Sequence, residues 1–179
     1  MSGDDKPKRI RIKSPVIETF IVDPLKYGVN ASTQNARQDC TINIKYDVEI
    51  WYDEHVSIRQ LERDGIEIDV LKKLASKSFK HIFYYQLRYP LVKLLQYPER
   101  KGRNYRFVLK EQCEDGALLN ITCELHFLDA GLYEMTFITA MITNSFKIFD
   151  GQYIVKVDGE SSTLSKLENG TIKLIAEVK

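Results

Sequence analysis

Ile42, Ile44, Tyr46, Val48 and Ile50 occupy every second position, with Asn43, Lys45, Asp47 and Glu49 between them. A two-residue period of this kind marks a strand with one buried face, here predicted to end near Trp51. Beyond it the pattern changes. Asp53 is suited to cap a helix and Gly65 to end one in the left-handed conformation, which predicts a short helix from about Glu54 to Asp64. A second helix follows, because Ile68, Leu71, Leu74, Ala75, Phe79 and Ile82 recur at three- and four-residue spacing while Lys72, Lys73, Lys77 and Lys80 take other faces. Pro90 and Pro98 limit any continuation, and a further short helix is expected around Leu91 to Gln96.

The C-terminal part is strand-rich. Leu119, Ile121, Cys123, Leu125 and Phe127 alternate with Asn120, Thr122, Glu124 and His126, and the dipeptides Asp115-Gly116, Ala130-Gly131, Asp150-Gly151, Asp158-Gly159 and Asn169-Gly170 supply turns. Strands are therefore predicted near 103–110, 117–128, 132–140 and 152–157, with a terminal hairpin around Asn169-Gly170. Strands and helices segregate instead of alternating, so the expected fold is α+β: two N-terminal-half helices packed on a mainly antiparallel sheet, with a C-terminal hairpin. Residues 1–13 read as a flexible basic arm, and residues 14–179 as a single domain that opens with a short strand and a long loop.

Composition agrees with one core: 179 residues, 44% of them hydrophobic and 11% aromatic, suffice for a single domain. No run approaches the roughly 18 apolar residues of a membrane span, and no apolar stretch follows the charged start, so the expectation is a cytoplasmic protein with no membrane partner. Cys40, Cys113 and Cys123 are an odd, widely spaced set, expected to be structural, with no grouping that would build a metal site. Charge changes the picture more. The net charge is only +1, yet between Lys72 and Lys110 eleven Lys and Arg face the single acid Glu99, and eight aromatics fall in the same segment. Cations attract phosphate and aromatic faces stack on unpaired bases, which points to single-stranded or irregular RNA as a partner. Lys77, Lys80, Arg88, Lys101, Arg103, Tyr105 and Arg106 are the residues of that segment expected to hold it.

Nucleotide-cradling, dinucleotide-binding, zincin and hydrolase motifs are all missing, so any catalysis must use isolated side chains and no cofactor. His55 opens the first predicted helix, and Arg59 and Arg63 follow on its face at one-turn steps. An imidazole and guanidinium groups side by side suit metal-free RNA cleavage, with His55 and His81 as base and acid, Arg59 as the cation for the charged transition state and Arg63 as a further cation that binds the RNA phosphate. His126, on a polar strand face with Thr122 and Glu124, reads instead as a cross-strand partner.

The run Tyr52 to Ile66, carrying His55, Arg59, Arg63 and Gly65 and followed by the Ile68 to Ile82 helix, resembles the opening of small RelE/BrnT-like and phage RegB-like ribonucleases over about residues 46–157. The resemblance implies helices followed by a compact sheet with RNA lying across it, and a site built on His55 and Arg59. A second site histidine would fall near Ala75, where this chain has none, and His81 is the local substitute. Two functions follow. One is a metal-independent endoribonuclease of phage or toxin type. The other is a non-enzymatic interaction protein, either a nucleic-acid-binding accessory factor or a virion component, whose charge-asymmetric faces meet a protein partner or further copies of the chain.

Overall fold

In a computed structural model of the chain the described residues are 10–13, 45–53, 65–98 and 104–179, with 10–13 described as backbone only. They form one mixed sheet of nine strands: β1 (Ile10–Lys13), β2 (Asp47–Tyr52), β3 (Leu95–Gln96), β4 (Phe107–Gln112), β5 (Leu118–Asp129), β6 (Leu132–Ile142), β7 (Tyr153–Asp158), β8 (Ser161–Glu168) and β9 (Thr171–Val178). Across the sheet the order is β1-β2-β6-β5-β4-β7-β8-β9, and β3 pairs with β5 beyond the end of β4. Among the described residues there is one helix, α1 (Ile68–Arg88).

The apolar stripe predicted for α1 is buried. Leu71, Leu74, Ala75, Phe79 and Ile82 join Tyr85 in a core shared with Ile50 of β2, Phe107 and Leu109 of β4, Ile121 and Cys123 of β5 and Phe137 of β6. Alternate residues of β2, β4, β5, β6 and β7 face this core, and the opposite side of the sheet carries polar groups such as Thr122 and Glu124 together with the buried apolar residues Val108, Ile138 and Ile154. The helix runs past Ile82 because Tyr85 continues the stripe, and it stops at Tyr89, whose backbone (φ −125°, ψ 84°) has left the helical region that a following proline disfavours.

The expected arrangement, two helices packed on a mainly antiparallel sheet, does not form. The segment 91–96 is a turn leading into β3: the Gln86 side chain accepts from the Leu94 and Leu95 amides and donates to the Val92 carbonyl, holding these residues extended against β5. The sheet is mixed because β2 lies parallel to β6, β3 to β5 and β4 to β7. The β4–β7 pairing has a topological cause. β6 and β7 run in the same direction on opposite sides of the β5–β4 pair, so residues 143–152 must cross back over the sheet between them. The helix expected at 54–64 lies outside the described residues. Residues 10–13, read from composition as part of an arm, pair antiparallel with β2. The C-terminal hairpin forms as expected, turning at Asn169 and Gly170 with φ of 52° and 73°.

Candidate nucleic-acid interface

The crossover 143–152 and the sheet face away from α1 enclose an open cleft of about 1160 Å³. Thr122 of β5 and Thr139 of β6 face it, alternating with the core residues Ile121, Cys123 and Ala140. A bulge in β6 leaves Ile138 without a partner opposite Thr122 and Cys123, which brings Ile138 to the cleft as well as Thr139. Asn120, fully buried, donates from Nδ2 to the carbonyls of Leu118 and Thr143 (both 2.8 Å) and so anchors the start of the crossover on the sheet.

The rim combines cations with aromatic rings. The Lys93 ammonium lies 5.4 Å from the centre of the Tyr105 ring, that of Lys147 5.7 Å from Phe149, and that of Lys166 5.5 Å from Tyr153. All six side chains line the same cleft. These separations are within the range in which a ring quadrupole attracts a cation. Lys166 also donates to Glu168 (2.7 Å), whereas Lys93 and Lys147 have no carboxylate within salt-bridge distance among the described residues. Phe149 is 65% exposed, an open ring face at the mouth.

At the base of the cleft the segment leading into β4 is fixed to β5. Glu124 accepts from Asn104 Nδ2 (2.7 Å), Arg106 Nε (2.9 Å) and His126 Nε2 (3.1 Å), while Gln96 accepts from the Tyr105 amide (2.9 Å). Glu124 is only 5% exposed. Burial pushes its pKa up, but the bonds from His126, Arg106 and Asn104 outweigh that and bring it down to about 2. It is a carboxylate at any working pH.

Of the residues chosen from sequence, Tyr105 and Arg106 line the cleft. Lys77 and Lys80 do not: they sit on α1, paired with Glu111 (2.8 Å) and with Glu160. Arg88, exposed in the last turn of α1, is also outside the cleft. His55, Arg59, Arg63, Lys101 and Arg103 lie outside the described residues. His81 is 2% exposed beneath α1. Its Nδ1 is 2.9 Å from Ser162 Oγ, which is 2.7 Å from the Tyr85 hydroxyl, and that hydroxyl donates to the Ser162 carbonyl (2.9 Å). The chain His81 Nδ1–H to Ser162 to Tyr85 to carbonyl gives every proton one acceptor and leaves Nε2 as an unpaired lone pair. Burial, with Lys80 beside it, pushes the His81 pKa down to about 4 against the opposing pull of Glu160. His126, expected to be a cross-strand partner, is instead half-buried and bonded to Glu124 two residues away on its own strand.

Sequence reasoning missed Lys147, Phe149, Tyr153 and Lys166. The interleaving of Phe146, Lys147 and Phe149 was a usable signal, but it lay outside the strongly cationic segment. Among the described residues no group of three or more His, Cys, Asp and Glu side chains could hold a metal ion, and no helix is long and apolar enough to cross a membrane. Compared with protein-family models, curated proteins and solved structures, the chain matches none.

Proposed function

We propose that the protein binds single-stranded nucleic acid, RNA foremost, in the cleft beneath the 143–152 crossover. One observation carries this reading: three lysines, each lying over an aromatic ring, surround one cleft. A base stacking on an exposed ring takes the face that a lysine now covers, and the displaced ammonium is already within reach of the phosphate beside that base. The cleft also exceeds the roughly 300–1,000 Å³ of pockets that hold one small ligand, which suits more than one nucleotide. The reading is of binding, because His81, the second imidazole of the metal-free cleavage scheme, is enclosed by the core and hydrogen-bonded to Ser162.

Fluorescence anisotropy with a labelled single-stranded RNA tests this. The Lys93→Glu/Lys147→Glu pair is expected to lower affinity roughly tenfold or more, since it removes and reverses the cleft's uncompensated charges. Lys73→Glu, on the exposed side of α1, is expected to leave it unchanged. Failure to bind RNA or DNA, or equal loss from both changes, overturns the proposal. Incubation of the same RNA in EDTA covers the ribonuclease implied by the resemblance, for which cleavage abolished by His55→Ala is the expected sign.

A further inference from the structure

Arg106 differs from the other cations of the cleft. Its Nε is committed to Glu124, a buried carboxylate braced from two further directions by Asn104 and His126. The Arg106 side chain is still 53% exposed and lines the cleft. Two consequences follow from that geometry. The plane of the guanidinium is fixed by the sheet, so its terminal amines form a rigid pair of donors. Its charge is also compensated on the spot, so it attracts phosphate less than Lys93 and Lys147 do. A fixed, charge-compensated pair of donors suits a neutral base edge with two adjacent acceptors.

Resting on the reading of the cleft as a single-strand site, we infer that Arg106 selects guanine, donating to its O6 and N7, and that Glu124 is the positioning residue that holds Arg106 for this. Adenine presents a donor beside N7 on the same edge and would meet the guanidinium donor to donor. Uracil offers one acceptor there and cytosine a donor, so neither reproduces the paired contact. The lysine–aromatic pairs remain indifferent to sequence, because every base has a stacking face and every nucleotide a phosphate. Affinity then comes from the rim and discrimination from Arg106.

The experiment measures binding of the full chain to labelled oligouridine strands that carry one central guanine, adenine or 7-deazaguanine. Guanine is expected to bind roughly ten- to a hundredfold more tightly than adenine, in line with the discrimination of one paired arginine–guanine contact. 7-Deazaguanine, which lacks the N7 acceptor, is expected to fall most of the way to adenine. Arg106→Met, which removes the donors, should erase the guanine preference, bringing the guanine strand down to the level of the adenine strand. Glu124→Gln should reduce the preference too, with thermal unfolding confirming that the domain still folds. Equal binding of the three strands overturns the assignment while leaving the single-strand reading in place. So does a uniform loss across the three strands in Arg106→Met with a shallower salt dependence, which makes Arg106 a phosphate contact. Absence of binding to any strand overturns both.

Discussion

Protonating His81 would place an N–H at Nε2, where no acceptor lies, and a charge beside Lys80 with only Glu160 to offset it. The sign follows from linkage. The folded-state pKa, about 4, is below the ordinary histidine value of 6.5, so the unfolded chain binds the proton more readily. The contribution of neutral His81 is complete above about pH 6.5 and is lost as pH falls towards 4. Urea unfolding followed over that range is expected to show stability declining in the wild type and a flatter profile in His81→Phe, whatever the variant's stability at neutral pH. Identical slopes would show that His81 titrates normally. The sequence held part of this. Leu74, Ser78, His81 and Tyr85 are spaced by four, three and four residues and form one buried stripe of α1, but three of the four carry polar atoms, so the stripe reads as surface until Ser162 is known to sit against it.

Hairpins illustrate what local chemistry can specify. Asn169 and Gly170 both adopt positive φ, the two-residue turn whose twist matches the strands it joins, and the pairing of Glu168 with Thr171 follows from it. Gly170→Ala is expected to lower stability by about 1–2 kcal/mol, because a Cβ is strained in that conformation even with open space around it. Denaturant titration checks the loss, and RNA binding should persist because the turn is outside the cleft. The predicted strands from 103 onward appear within a few residues for the same reason: each pairs through a short turn, or alternates clearly. The parallel contacts of β2 with β6 and β4 with β7 carry no such local mark, since they join segments far apart in sequence. The crossover 143–152 has no period of its own. With it went the cleft, whose lining comes from β5, β6, β7, β8, the crossover, the turn before β3 and the segment before β4 together.

Charge summed along the chain and charge counted in the proposed cleft lead to different salt dependences, which a titration separates. The cationic segment carries eleven Lys and Arg, but Lys72, Lys77 and Lys80 of α1 are paired with Asp69, Glu111 and Glu160 on the far side of the sheet from the cleft. Of its aromatics, Phe79, Tyr85 and Phe107 are core residues, whereas Tyr105 lines the cleft. Within the cleft Arg106 is compensated by Glu124 and Lys166 by Glu168, which leaves Lys93 and Lys147 as the cations whose counterions a bound strand would release. Two or three phosphates neutralised on a single strand give a slope of log affinity against log salt of roughly −1.4 to −2.1. Affinity for single-stranded RNA is therefore expected to fall only about tenfold between roughly 50 and 200 mM salt. Anisotropy titrations at four or five salt concentrations measure the slope directly. A flat dependence would mean that phosphate is not what the rim lysines hold. A loss of several orders of magnitude would mean that the strand follows a longer cationic track than the cleft, drawing on the helix lysines after breaking their pairs.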